Sequence, residues 1–190
     1  MEHYNGEPLR NMGDLPSMAA HRYGEKTAIT FMGQETSFNE SEASANSVAN
    51  VLVDNGVEPG DRVGLYIPNT DQFPESYFGA LKAGAIPVPL NLRMDPNTLE
   101  FVLQDADVDH MIGSPLLAGG MDTEDGRITG PTELAGNADV SNVYVSGVSD
   151  DGVVNYSQAV TEASTEFETV DREYDDVACQ PYTSGTTGKP

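Results

Sequence analysis

Cysteine occurs once, at Cys179, so the 190-residue chain cannot close an internal disulfide, which fits a reducing cytoplasm. Lysine stands only at Lys26, Lys82 and Lys189, and all basic residues together number 9 against 31 acids, a net charge of −22. So little positive charge excludes nucleic acid and anionic membranes as partners, because both require a basic surface against phosphate. No run approaches the ~20 apolar residues of a transmembrane helix. The opening Met1-Glu2-His3-Tyr4-Asn5-Gly6-Glu7 also lacks a charged-then-apolar secretion signal, so a cytoplasmic location is expected. His3, His21 and His110 have no companions at metal-ligand or triad spacing; packing or surface roles are expected for each, and no metal site. No two glycines lie two positions apart, which removes the dinucleotide-binding fingerprint.

What is present is patterned. Hydrophobic residues make up 38% of the chain and recur at regular spacing through most of it, so the charge does not imply disorder. The length suits a single domain with a real core, and no internal repeat is visible. The acids are spread along the chain instead of gathered in one tail. That distribution favours a protein kept soluble in concentrated salt, where screening over ~3 Å at 1 M removes self-repulsion, over a binder of cations or basic partners. The distribution is still uneven. Residues 1–117 carry 17 acids and 6 bases, residues 118–176 carry 14 acids and 2 bases with a weak apolar pattern, and residues 177–190 carry one charge, Lys189. Residues 118–176 therefore read as an acidic, loop-rich stretch.

Strand and helix patterns alternate. Ala28-Ile29-Thr30-Phe31 and Thr36-Ser37-Phe38 flank Met32-Gly33-Gln34-Glu35 and predict a small hairpin. Asn39, with Glu42 three residues on, predicts the cap of a helix whose stripe is Ala45, Val48, Ala49 and Leu52 and which Asn55-Gly56 ends. Arg62-Val63-Gly64-Leu65-Tyr66-Ile67 predicts a buried strand. Asp71 caps a second helix through Phe73, Tyr77, Phe78 and Leu81, a stripe read as core. Ala85-Ile86-Pro87-Val88-Pro89-Leu90 predicts a strand that its prolines confine to an edge or a strand end. Asp95-Pro96 starts a third helix, and His110-Met111-Ile112, Val143-Tyr144-Val145 and Val177-Ala178-Cys179-Gln180 read as strands, with Cys179 a small core residue. The fold class expected is α/β, a mostly parallel sheet flanked by helices with a small N-terminal hairpin. Asp105, Asp107 and Asp109 alternate like a calcium loop, but His110 stands where glycine is required and Leu116 where the closing acid would be.

The chemistry concentrates in the last nine residues, Tyr182-Thr183-Ser184-Gly185-Thr186-Thr187-Gly188-Lys189-Pro190. Glycines let backbone N–H groups converge on an anion, the hydroxyls of Thr183, Ser184, Thr186 and Thr187 add donors, and lysine adds positive charge, a combination suited to a polyphosphate. It is not a Walker A loop, which would need glycine at 183 and Ser or Thr at 190.

In order, these residues resemble the phosphate loop of the adenylate-forming (AMP-binding) superfamily: acyl-CoA synthetases, aryl-CoA ligases, luciferases and peptide-synthetase adenylation domains. Two further segments carry the resemblance. Gly60-Asp61-Arg62-Val63-Gly64-Leu65-Tyr66-Ile67-Pro68-Asn69 is similar to the family's first conserved strand. Tyr77-Phe78-Gly79-Ala80-Leu81-Lys82-Ala83-Gly84-Ala85-Ile86-Pro87-Val88-Pro89-Leu90-Asn91 is similar to its next helix and strand. Ile67-Pro68-Asn69 and Pro89-Leu90-Asn91 lean toward the acyl-CoA synthetases, of long-chain fatty-acid type, and Pro181 is shared with aryl- and fatty-acyl-CoA ligases.

The resemblance implies a reaction in which a carboxylate, here a fatty acid, attacks the α-phosphate of ATP with Mg2+ to give an acyl-adenylate and pyrophosphate, after which coenzyme A takes the acyl group. It implies that Thr183, Ser184, Gly185, Thr186, Thr187 and Gly188 hold the β- and γ-phosphates, with Lys189 beside them. The family's invariant loop lysine follows the proline and so falls past Pro190. The later segments that hold adenine, magnesium and the acyl group, and the carboxy-terminal domain with its catalytic lysine, lie outside this sequence. The chain therefore reads as one partial domain, 1–190, the amino-terminal piece of a longer synthetase from a halophilic archaeon, with no catalytic residue of its own and no activity alone. Two alternatives stay open: another adenylate-forming enzyme such as an aryl-CoA ligase, and a non-catalytic acidic interaction module.

Overall fold

The computed structural model describes residues 3–4, 7–8, 11–123, 126–148 and 152–183. In chain order the elements begin with a short antiparallel pair, β1 (His3–Tyr4) and β2 (Glu7–Pro8), a 3-10 turn at Met12–Asp14, and helix α1 (Leu15–Tyr23). The predicted hairpin follows as β3 (Thr27–Phe31) and β4 (Gln34–Ser37). Its connection is two residues, not four. Met32 and Gly33 both take positive φ, 49° and 83°, as the tight turn of a right-twisted hairpin requires.

Helix α2 (Phe38–Asp54) begins two residues earlier than the Asn39 cap predicts. Ser37 is the cap: its hydroxyl accepts from the Glu40 N–H at 3.2 Å, and the Glu40 carboxylate accepts from the Ser37 N–H at 2.8 Å. This reciprocal pair satisfies two otherwise orphaned donors, and the Ser37 N–H and hydroxyl, both donating to the Glu40 carboxylate, hold it below its ordinary pKa. Asn39 instead lies in the first turn and donates to Glu25 at 2.6 Å.

The sheet strands come next: β5 (Arg62–Tyr66), β6 (Ile86–Pro89) and β7 (Val108–Gly113), linked by helices α3 (Gln72–Lys82) and α4 (Pro96–Asp105). Another antiparallel pair, β8 (Met121–Thr123) and β9 (Gly126–Ile128), precedes α5 (Pro131–Asn137), β10 (Asn142–Val145), β11 (Val153–Val154) and α6 (Tyr156–Glu162). The five-stranded sheet runs β11-β10-β7-β5-β6 and every pairing in it is parallel. Numbered by appearance, that is the order 2-1-3-4-5 of a doubly wound fold, with its switch point between β5 and β7.

Alternation along each strand divides the core. Val63 and Leu65 of β5, Ile112 of β7 and Tyr144 of β10 face α2, α3 and α6. Tyr66, Met111, Val143 and Val145 face α4 and α5. Gly79 brings α2 and α3 together, since a Cβ there would lie 2.5 Å from the Val48 side chain.

The described residues of 118–176 hold more regular structure than their loop-rich reading. Besides the predicted strand, which is β10 with its Tyr144 fully buried, they contribute the helices α5 and α6. Each of those helices has only seven residues, too few for an apolar period to declare itself. Below α2 the chain at 164–166 is a strap held by side chains. Asn46 donates to the Thr165 carbonyl at 2.9 Å, and Asn50 donates to those of Ser164 and Glu166 at 2.9 and 3.1 Å. The acids Glu168, Asp171, Glu173, Asp175 and Asp176 that follow are exposed.

Candidate functional site

The predicted strand 177–180 forms no ladder. Its contact with the sheet is the Gln180 N–H donating to the Pro87 carbonyl at 3.1 Å. The cause is β6 itself. Pro87 and Pro89 have no N–H, so this edge can accept hydrogen bonds but returns few. Cys179 is accordingly half-buried and not a core residue, and its thiol abuts Tyr77, whose hydroxyl burial pushes up to about 12 with the thiol's help.

Two residues further on, the segment is anchored on the other face of the sheet. Tyr182 packs against the α4 side of the core. Its hydroxyl donates to Asp105 at 2.6 Å and accepts from the Gln180 side chain at 3.0 Å. Burial and the Asp105 carboxylate raise the Tyr182 pKa. Thr183 is exposed at the end of this anchor. Ser184, Gly185, Thr186, Thr187, Gly188 and Lys189 lie outside the described residues.

The anchor sets the loop's starting point: a strapped, half-buried tyrosine at the sheet edge, with an exposed threonine hydroxyl immediately after it. It also alters the charge picture. In sequence the last fourteen residues are nearly free of charge, but in space Tyr182 meets Asp105, 77 positions earlier. Nothing in the local pattern announces that pairing.

Among the described residues, no group of three or more His, Cys, Asp or Glu side chains is placed to hold a metal ion. His110 is buried, with Nδ1 2.9 Å from the Tyr144 hydroxyl, and burial lowers its pKa against the opposing pull of Asp61 and Asp109. It is a packed imidazole. At the switch point, the Ser114 N–H donates to the Tyr66 carbonyl at 3.1 Å and Gln72 donates to the Gly113 carbonyl at 3.4 Å, so the chain's own groups stitch the strand ends.

The profile of the AMP-binding enzyme family matches residues 17–190, nearly the whole chain and all of the loop segment. The chain belongs to this family. Among its AMP-binding relatives, the 3-oxocholest-4-en-26-oate–CoA ligase of Rhodococcus rhodochrous is 30% identical over 194 residues, covering 95% of this chain and 32% of that protein. The long-chain-fatty-acid–CoA ligase of Bacillus subtilis is 36% identical over 110 residues, covering 58% of this chain and 20% of that protein. Among solved structures, the anthranilate CoA ligase AuaEII in complex with anthranoyl-AMP superposes with a TM-score of 0.83 at 26% identity, covering 100% of this chain and 35% of that one. The chain thus spans about a third or less of the length of these AMP-binding relatives. The parallel α/β architecture expected from the sequence is the one found.

One buried cluster went unread in the sequence. Lys82, the last residue of α3, is fully buried, with Nζ 2.9 Å from Glu42 Oε1 of α2 and 2.9 Å from Ser17 Oγ of α1. Ser17 also donates to Glu42 at 2.6 Å. A lysine next to an apolar stripe gives no sequence signal of its partner, because the partner comes from a helix 40 positions away.

Proposed function

We propose that this chain is the amino-terminal part of an ATP-dependent acyl-CoA synthetase, and that 1–190 forms a partial domain of it. The observation that supports the reading is the family match running through the segment 182–190, whose residue types suit a polyphosphate. In this reading Thr183, Ser184, Gly185, Thr186, Thr187, Gly188 and Lys189 face the β- and γ-phosphates of ATP and offset charge as pyrophosphate leaves. Tyr182, tied to Asp105 and Gln180, fixes where this segment begins. Magnesium and coenzyme A would be held by residues beyond this chain. A fatty acid is the favoured carboxylate, on the identity to the Bacillus subtilis ligase. An aromatic acid is the second reading, on the superposition with the anthranilate ligase.

The test is pyrophosphate release. The 190-residue chain alone, given ATP, magnesium, coenzyme A and a panel of fatty and aromatic acids, is expected to release none. Release that depends on a carboxylate would overturn the placement of the missing machinery beyond Pro190.

We further propose a cytoplasm rich in salt as the working environment, on the net charge of −22. The chain is expected to gain ordered secondary structure and thermal stability as salt rises toward molar concentrations, because the Debye length shrinks to ~3 Å at 1 M. A far-UV circular dichroism spectrum and melting temperature that stay flat across the titration would contradict it.

A further inference from the structure

Among the described residues, 177–183 make one backbone hydrogen bond to the sheet, from the Gln180 N–H to the Pro87 carbonyl at 3.1 Å. Val177 and Ala178 line one cavity with Gly84 and Ala85, so the segment runs alongside β6 in that strand's own direction. That course leads toward the carboxyl ends of the parallel strands, where doubly wound folds bind their ligands. Pro87 and Pro89 on one side, and Pro181 on the other, carry no N–H, so few rungs are available to fix the register.

Side chains supply what the backbone lacks. The Tyr182 hydroxyl donates to Asp105 at 2.6 Å and accepts from Gln180 at 3.0 Å. The Gln180 bond is internal to the segment and would move with it. The Asp105 bond ties the tyrosine to a fixed element. Asp105 is the last residue of α4, whose Leu99, Val102 and Leu103 are buried in the core, so its carboxylate is presented from a rigid backbone. Helix stability does not account for an acid there. It stands at the carbonyl end of α4, where the helix dipole disfavours negative charge, and the last turn carries no basic residue to offset it. Asp105 is exposed, and Tyr182 is its hydrogen-bond partner among the described residues.

We infer that Asp105 is a positioning residue for ATP: by fixing Tyr182 it fixes Thr183, the first hydroxyl offered to the phosphates. The inference rests on the proposed reading of the chain as part of an acyl-CoA synthetase. Asp105 touches no substrate and acts through Tyr182. Without the bond the segment can slide along the proline edge, and Thr183 stands in place for only a fraction of the time. The apparent affinity for ATP falls by that fraction, while a segment drawn back by bound ATP still turns over at the parental rate. The loss therefore falls on KM for ATP and not on kcat. That separates this tie from donors aimed at the transition state, whose loss lowers kcat.

The experiment measures fatty-acid-dependent pyrophosphate release across ATP concentrations, by the complete polypeptide and by its Asp105→Ala, Tyr182→Phe, doubly substituted and Asp105→Asn variants. Asp105→Ala and Tyr182→Phe are each expected to raise KM for ATP about tenfold, with kcat within about twofold and KM for the fatty acid unchanged. The double variant should match the single ones, because both substitutions remove the same bond. Asp105→Asn keeps an acceptor for the hydroxyl and should bring KM back to within about threefold of the parent. An unchanged KM for ATP in both single variants would overturn the positioning role and leave the proposed function standing. A lower kcat at constant KM, in step with a lower melting temperature, would overturn it in favour of a merely structural bond. A parent that forms no acyl-adenylate with any carboxylate sinks the proposed function, and calorimetric titration with ATP then decides the positioning role. About tenfold weaker binding by Asp105→Ala upholds that role, and equal or absent binding in parent and variant overturns it.

Discussion

Replacing Lys82 by methionine is expected to destabilise the fold by about 3–5 kcal/mol, the range for removing one partner of a buried ion pair. The arrangement leaves little to soften the loss. Lys82 Nζ lies between Glu42 and Ser17 with its side chain almost fully covered, and Glu42 Oε2 already has no hydrogen-bond partner. Without the ammonium, a largely buried carboxylate would keep only the Ser17 hydroxyl. Because ordinary domains hold only about 5–15 kcal/mol in total, Lys82→Met should lower the urea midpoint substantially, with an unchanged slope. The double variant Lys82→Met/Glu42→Leu should recover most of the loss, since an apolar replacement removes the stranded charge as well. A Lys82→Met chain within about 1 kcal/mol of the parent would show that Glu42 is adequately solvated without its partner.

Glu75 is the site of the second large effect, with the opposite sign. Its carboxyl accepts from the Tyr156 hydroxyl at 3.0 Å, and that hydroxyl also lies 2.9 Å from Ser76 Oγ. Burial raises the Glu75 pKa to about 7 from an ordinary 4.5, with a smaller upward push from Asp71 and an opposing pull from the Tyr156 hydrogen bond. A carboxyl raised in the folded state favours folding while it is protonated. Its contribution is complete below pH 4.5, falls as pH rises, and is gone above pH 7. At 1.36 kcal/mol per unit, the ionised form costs about 3 kcal/mol.

Glu75→Gln keeps an acceptor for Tyr156 and removes the charge. The stability difference between variant and parent is therefore expected near zero at pH 4, to grow between pH 4.5 and 7, and to level off at about 2–3 kcal/mol in favour of the variant by pH 8. Taking the difference cancels the many exposed acids common to both proteins. A difference that does not change with pH would mean that Glu75 is solvated in the fold. Both effects come from helices packed on the same face of the sheet, yet Lys82 acts through α1 and α2, and Glu75 through α6.

These two residues also mark how far the sequence could be read. Periodicity identified β5, α3, β6, α4 and β7, because each carries several apolar residues in phase and a recognisable cap or stop. Asp71 and Asp95 accept hydrogen bonds from the first turns of α3 and α4 as their positions predicted. The helix after the hairpin was legible, but its cap was not. Ser37 and Asn39 both precede an acid at the right distance, and only the backbone direction at the end of β4 selects Ser37.

After residue 118, β10 follows the predicted strand 143–145, but α5 and α6 were illegible for a different reason. Tyr144 and Tyr156 are buried through distant partners, His110 and Glu75, in a stretch whose composition is dominated by solvent-facing acids. The segment 177–180 shows the reverse error. Its residues suit a strand, but the ladder depends on the neighbour, and β6 offers prolines. The candidate site was legible as a motif, while its anchor was not: the Tyr182–Asp105 contact belongs to the fold and to no local pattern.

The central claim is that the hydroxyl- and glycine-rich segment holds the phosphates of ATP during acyl-adenylate formation. The most direct measurement is fatty-acid-dependent pyrophosphate release by the complete polypeptide, in molar salt, with Thr186 and Thr187 intact and with both replaced by alanine. The account predicts robust release by the parent and a kcat reduced about a hundredfold or more in the variant, as for the loss of donors aimed at developing charge, with circular dichroism unchanged. A variant that turns over at the parent's rate would contradict it.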